Sequence, residues 1–291
     1  MLSLVRVIAA TAVVSAATAG PAWAGTIVFA AATQASPVDQ LFRVSAAGTG
    51  LKQLTTGAHP ADAPAISPDG KEIAFERFGV GIFTMGVNCG GLRRLTTNGR
   101  DSYPAWSPNG KDIAFLRPRG TVWRVYVVPA AGGRLRALTK APPAGRPSWT
   151  SAGLLVPSGG DLLRIDTATG RVLKYFGADI DVIWGQMSVA IAPNIAKLTY
   201  IGARPPEPGD KECGEGPCQR FGLFIESLLT KAKRPRMVLK DAGPAAFSPD
   251  GKQIVFVDHG KLEVLIVASG ATRPIATGSA YPSLVAPPAW R

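Results

Sequence analysis

One block of sequence returns along the chain at nearly constant spacing. Ala63-Pro64-Ala65-Ile66-Ser67-Pro68-Asp69-Gly70-Lys71-Glu72-Ile73-Ala74-Phe75 recurs as Tyr103-Pro104-Ala105-Trp106-Ser107-Pro108-Asn109-Gly110-Lys111-Asp112-Ile113-Ala114-Phe115. It returns again as Gly243-Pro244-Ala245-Ala246-Phe247-Ser248-Pro249-Asp250-Gly251-Lys252-Gln253-Ile254-Val255-Phe256. Weaker copies stand at Arg146-Pro147-Ser148-Trp149-Thr150 and around Ile191-Ala192-Pro193-Asn194, and Pro288-Ala289-Trp290 ends the chain in phase. The residue ahead of the Ser-Pro turn falls at 66, 106, 149, 191, 247 and 290, in steps of 40, 43, 42, 56 and 43. Leu54-Thr55-Thr56, Leu95-Thr96-Thr97 and Leu138-Thr139 form a second ladder in steps of 41 and 43. A period of roughly 40–45 residues with four short strands per unit is the signature of a propeller blade. A single blade cannot bury both its faces, so the units must stack into a ring.

The unit can be read strand by strand. An apolar strand ends in Ser-Pro-Asp-Gly, where proline presets φ at turn position i+1 and glycine closes position i+3 of a type I turn. The second strand, such as Lys71–Phe75, returns antiparallel. A third follows, for example Val122–Val128 or Leu262–Val267, and then the outer strand with Leu-Thr-Thr. The large residue of the first strand (Ile66, Trp106, Trp149, Phe247) is expected to pack between neighbouring blades. Pro288-Ala289-Trp290 is a first strand with nothing after it, and Gly25-Thr26-Ile27-Val28-Phe29-Ala30 is a second strand with nothing before it. Joined, they complete one blade from both ends and leave no open sheet edge. The expected fold is therefore an all-β propeller of six four-stranded antiparallel blades, closed by the N-terminal and C-terminal strands. The 33 glycines, 25 prolines and only 18% charged residues fit many short strands and turns better than long surface helices.

Residues 1–24 are read as a signal peptide and residues 25–291 as the propeller. Met1–Arg6 carries one positive charge, Val7–Ala19 is an apolar and small-residue run, and Ala22-Trp23-Ala24 supplies the small–x–small cleavage pattern. The run is shorter than the roughly 20 residues a spanning helix needs, and no later stretch is apolar enough to be a membrane helix. The net charge of +12 suits contact with anionic envelope polymers or lipid headgroups, as does the cluster Lys231-Ala232-Lys233-Arg234-Pro235-Arg236. A scattered, solvated charge would give the same balance. No nucleic-acid-binding motif is present.

These repeats resemble the TolB-like family of WD-type propellers, in which Pro-x-Trp-Ser-Pro-Asp-Gly-x-x-Ile-Ala-Phe and a Leu-Thr ending recur. The match is specific at 63–75, 103–115 and 243–256 and loose near 147 and 189. The resemblance implies an exported binding platform in the periplasm or cell envelope, with a protein or envelope polymer as partner.

The sequence has no Gly-x-Ser-x-Gly and no His-Glu-x-x-His, and only two histidines, His59 and His259. No cofactor or metal is expected, and no catalytic residue is assigned. Connections between blades and the exits of second strands open on one face of a propeller, where loops converge on the channel. They bring His59, Asp62, Arg77, Asp101, Tyr103, Arg117, Arg146, Asp181, Asp258 and His259 to the candidate binding face. Solvated loop ends are the plainer reading of any one of them. The step of 56 marks an insertion at 204–218, where Cys213 and Cys218 can form a disulfide after export. Cys89 is left unpaired. The alternative to a binding platform is a hydrolase or lyase acting on a glycan or peptide at the channel mouth.

Overall fold

The computed structural model describes residues 25–139, 145–158, 161–177, 190–192, 197–204, 220–227, 236–240, 242–283 and 287–291. Among them every regular element is a β-strand, and all strand pairs are antiparallel. Five sheets have four strands in sequential order. Blade one comprises Ala61–Ile66, Glu72–Arg77, Gly81–Gly86 and Gly90–Arg94, and blade two Ser102–Trp106, Asp112–Arg119, Val122–Pro129 and Arg136–Ala137. Blade three comprises Ser148–Thr150, Gly153–Ser158, Asp161–Ile165 and Val172–Gly177. Blade four is Ala190–Ile191, Lys197–Arg204, Arg220–Ser227 and Arg236–Lys240, and blade five Ala245–Phe247, Gln253–Asp258, Lys261–Ile266 and Thr272–Ile275. Strands are lettered a to d within each blade, from the channel outward.

The repeated turn owes its shape to side chains as well as to proline. In blade one Gly70 N–H donates to Ser67 C=O, closing the four-residue turn, with Gly70 at φ 74°. The Ser67 hydroxyl donates to Asp69 Oδ1 at 2.6 Å and accepts from Glu72 N–H at 2.9 Å. Ser107 with Asn109, and Ser248 with Asp250, repeat the arrangement. Serine is thus required for its hydroxyl, which links both ends of the turn.

The cores lie between blades. Ile73 and Phe75 of blade one pack with Val28, Ala30 and Leu41, whereas Ala74, the residue between them, joins Trp106, Ile113 and Phe115 of blade two. Alternation along strand b therefore feeds two different cores from one strand. Trp106 is 7% exposed and its indole N–H donates to Ala65 C=O of the preceding blade at 3.0 Å. The residue before each large one is small (Ala65, Ala105, Ser148, Ala190, Ala246, Ala289), and these line a central channel cavity of about 410 Å³. Leu-Thr sits just past the outer strand rather than inside it. The Thr55, Thr96 and Thr139 hydroxyls accept the strand-c N–H groups of Leu41, Ile82 and Val125, standing in for backbone carbonyls as the chain turns away.

The sixth sheet closes the ring as expected but is not a four-stranded blade. It has five strands: Thr26–Thr33, Ser36–Ser45 and Lys52–Gln53 from one end of the chain, Ala280–Pro282 and Ala289–Trp290 from the other. Its inner strand is broken in two, Pro282 pairing with Ala31 and Trp290 with Ile27. The same break exists in miniature in blades one and two. There the register shifts between Asp62 and Ala65 and between Ser102 and Ala105, with Ala63 and Tyr103 at φ 49° and 53° ahead of a proline. In the closing sheet the interruption separates two strands, Ala280–Pro282 and Ala289–Trp290.

Two outcomes follow from this packing. Trp106→Ala is expected to lower unfolding free energy by about 3–5 kcal/mol in denaturant titration, the range for emptying an aromatic core site. Deletion of residues 287–291 removes Trp290, which packs with Ile27, Phe29, Val255 and Val257. The shortened chain is expected to elute as aggregate in size-exclusion chromatography.

Candidate functional site

One register position separates blade one from the rest of the ring. Three residues beyond the strand-b partner of each large inner residue (Ile27, Ile73, Ile113, Leu154, Leu198, Ile254) stand Ala30, Glu76, Leu116, Pro157, Ile201 and Val257. Ala30, Leu116 and Val257 each join an interblade core there. Blade one alone carries a carboxylate at this position, and its cross-strand partner on strand a is a second carboxylate, Asp62. Like charges placed directly opposite on a sheet repel, so this pairing is unfavourable unless something nearby offsets it.

The offset comes from blade three. Arg146, just ahead of Ser148–Thr150, reaches across the channel and donates through Nη2 to Pro64 C=O at 3.1 Å. Tyr103 N–H donates to Glu76 Oε2 at 3.0 Å, and Ala63 N–H donates to Asp62 Oδ1 at 2.8 Å. Both contacts arise at the bulges, which turn those N–H groups out of the ladder. Burial pushes the Glu76 carboxyl up to about 7, against the Tyr103 N–H; Asp62 raises it further and Arg146 opposes. Burial likewise raises Asp62 to about 6, with the Ala63 N–H and Arg146 opposing and Asp39 adding to the rise. The Tyr103 phenol is raised by burial and by Glu76, and the Arg146 guanidinium is held down by burial while all three neighbours pull it up. Fully ionised, two carboxylates face one guanidinium, and among the described residues of the cluster one negative charge is left over.

The other expected residues divide into separate roles. Asp101 and Arg117 are spent on each other. Arg117 Nε and Nη2 donate to the two Asp101 oxygens, both at 2.6 Å, with Asp101 buried and the guanidinium over the Phe115 and Tyr126 rings. Arg77 lies over the Phe83 ring and donates to Thr56 C=O. His59 is exposed, and its C=O accepts from Gln40 in the connection into blade one. Asp258 and His259 pair at 2.5 Å at a two-residue hairpin in which His259 and Gly260 take φ 46° and 74°, as a type I′ turn needs. Asp181, the cysteines Cys213 and Cys218, residues 1–24 and residues 231–235 of the basic cluster lie outside the described residues. Cys89 is exposed in a turn at φ 72°. Among the described residues no group of three or more His, Cys, Asp or Glu side chains is placed to hold a metal ion, and no helix is long and apolar enough to cross a membrane.

Glu76 is absent from the residues expected on sequence grounds. The signal was present in the aligned repeats, where Phe75-Glu76 stands against Phe115-Leu116 and Phe256-Val257. A charge replacing an apolar residue at one repeat position is the pattern that marks it.

A cleft of about 510 Å³ adjoins this cluster. Glu76 and the Phe78–Gly79 hairpin form one side, and the connection at 99–101 with Ser102, Tyr103, Leu116 and Trp123 forms the other. The hairpin is tied to the connection by Gly79 N–H donating to Gly99 C=O. A Cβ at Gly99 would lie 2.4 Å from Gly79 O, so this approach requires glycine.

The architecture is that of the TolB-type propeller. TolB from Acinetobacter baumannii superposes with a TM-score of 0.70 at 18% identity, covering 92% of this chain and 67% of that one. The structure described as a nidogen/laminin complex is similar at TM-score 0.65 and 12% identity, covering 91% and 98%. An oligogalacturonate lyase in complex with manganese gives TM-score 0.51 at 10% identity, covering 82% and 70%. No protein-family model matches the chain, and no curated protein matches it in sequence.

The raised carboxyls predict a measurable pH effect. Folding raises both above their ordinary values of 3.8 and 4.5, so the folded chain holds more protons between those values and about 6 to 7. The stability contributed by protonation is present at the acid end and lost as pH rises through about 6 and 7. The unfolding free energy of the natural chain relative to Glu76→Gln is expected to fall by of order 1–2 kcal/mol between about pH 5 and pH 8, allowing for partial exposure. A difference independent of pH would contradict the assignment.

Proposed function

We propose that the chain is an exported, non-enzymatic propeller that binds a protein or envelope polymer through its channel-mouth face, in the periplasm or cell envelope. The observation that carries this reading is the Asp62–Glu76–Tyr103–Arg146 cluster. Chemically demanding groups occupy a position that other blades fill with apolar side chains, at the mouth where the inner strands converge. Export is supported by the charged start, apolar run and Ala22-Trp23-Ala24 of the N-terminus. Two of the similar structures, TolB and the nidogen/laminin complex, support the fold as a platform for macromolecules, and in the second the laminin partner is part of its description. Fold alone does not specify the ligand, so the weight rests on the cluster.

A second reading has its own observation. Two carboxyls raised to about 6 and 7 are suited to donating and accepting protons near neutral pH. That supports a hydrolase or lyase acting on a glycan or peptide at the same mouth, and one similar structure is an oligogalacturonate lyase.

Crosslinked capture from envelope extract, with the tagged chain and mass-spectrometric readout, tests both. The binding reading expects one near-stoichiometric partner, crosslinked beside the channel mouth, whose capture falls at least about tenfold with Arg146→Met. Crosslinks confined to the Ser-Pro-Asp-Gly turns would overturn it. Turnover of a glycan or peptide library that disappears with Asp62→Asn would replace it with the enzymatic reading.

A further inference from the structure

The cleft beside Glu76 has a composition that the channel cavity lacks. Its walls are mostly apolar or aromatic: Phe78, Tyr103, Leu116 and Trp123. Phe78 is 69% exposed at the end of the blade-one hairpin, an unusual setting for so large an apolar ring. Besides Arg100 and Asp101, two polar groups interrupt these walls. One is the Glu76 carboxylate, part of a cluster with more negative than positive charge. The other is the Ser102 hydroxyl, whose oxygen is buried and has no hydrogen-bond partner among the described residues. Buried hydroxyls are normally satisfied, so an unpaired one beside a cavity marks a place for a ligand group. The Asp101 carboxylate, also on the cleft, is fully engaged by Arg117 and offers nothing further. Arg100 at the rim is exposed, so solvent and salt screen its charge.

We propose that this cleft is a binding site for a small organic amine with an aromatic or branched apolar body. The ammonium pairs with Glu76 and the body packs against Tyr103, Leu116 and Trp123. The volume lies within the range of small-molecule sites, roughly 300–1,000 Å³. A second cation is what the cluster lacks among the described residues. Arg146 is shared between Glu76 and Asp62, and a second positive charge at Glu76 would balance both carboxylates. A carboxylate ligand would add to the excess instead, and a neutral body without a donor would leave the charge unanswered. An ammonium brings three donors, enough for both the Glu76 carboxylate and the Ser102 oxygen. The aromatic walls favour a cation for the further reason that ring faces attract one.

This inference rests on the reading of the channel-mouth face as a binding face, but its test needs no macromolecular partner. Phenethylamine and 2-phenylethanol have the same body and differ in the head group. Calorimetric titration of each into the whole chain at about pH 7.5 is expected to show the amine binding at least about tenfold more tightly, as a charge-assisted hydrogen bond requires. Glu76→Gln is expected to bring the two probes to within about twofold, and Trp123→Ala to weaken both. Equal affinities for the two probes, binding of neither, or an amine preference that survives Glu76→Gln would each overturn the assignment. Amine binding without any captured partner would remove the macromolecular reading and leave this one standing. Partner capture at the mouth without amine binding would do the reverse.

Discussion

Backbone pairing at the seam, through Ala280–Pro282 as well as Ala289–Trp290, carries the closure on which the other contacts depend. Ile27 pairs with Trp290 and Val28 with Ala289, and the terminal backbone groups of Thr26 and Arg291 bond in both directions at 2.5 and 2.9 Å. Strand b of blades one, two and five and of the closing sheet gives alternate residues to two cores, so each of these cores is shared by two neighbours. An unclosed array would leave Ile27 and Phe29 on one side and Val255 and Val257 on the other without partners, and the edge strands without a ladder. The seam is also the place where the ring departs most from its repeat. Its inner strand is supplied in two pieces, and the first piece pairs beyond the point where the second one stops.

Closure in turn dictates what can stand at the axis. Inner strands converge there, so the residue ahead of each large one is small, alanine in five sheets and serine in blade three. The strands cannot stay regular up to the channel mouth, and in blades one and two they bulge ahead of a proline. Residues 63 and 103 then occupy the left-handed region, which non-glycine residues rarely adopt. The consequence is chemical. The bulge frees the Tyr103 N–H for Glu76 and the Ala63 N–H for Asp62, so the candidate site is built from the irregularity that packing around the axis imposes.

The architecture was largely legible in the repeats because period, turn chemistry and alternation all act locally. Ser67-Pro68-Asp69-Gly70 specifies its turn within six residues, and Trp106 declares its core position by recurring beside Trp149, Phe247 and Trp290. The site was legible only in part, for physical reasons that differ by residue. Asp62, Tyr103 and Arg146 lie together because connectivity brings the inner strands of their blades to one end of the channel. Asp101 and Arg117, equally polar and equally placed, turn out to satisfy each other, and only three-dimensional distance distinguishes the two cases. The five-stranded closing sheet was hidden because residues 280–282 lack the repeat motif and are recruited by the edge left free on Thr26–Thr33. The outer position of Leu-Thr was misread because a hydroxyl replacing a carbonyl leaves the spacing unchanged.

Glu76 is where stability and chemistry part. A leucine at that position in blade two fills an interblade core, whereas the carboxylate must be desolvated, faces Asp62 and shares one guanidinium with it. Such a carboxylate bears a desolvation cost and a like-charge repulsion that a leucine in the same register does not. The fold therefore gives up packing energy at this point and holds two carboxyls near their protonation midpoints at neutral pH. That condition makes the cluster responsive: a cation arriving at Glu76, or a change of pH by one unit, alters its charge. Elsewhere in the ring the same register is inert, because Ala30, Leu116 and Val257 have nothing to ionise. Recognition and proton transfer both need a group whose charge can be changed by what comes near it, and among these equivalent positions in the ring blade one alone supplies one.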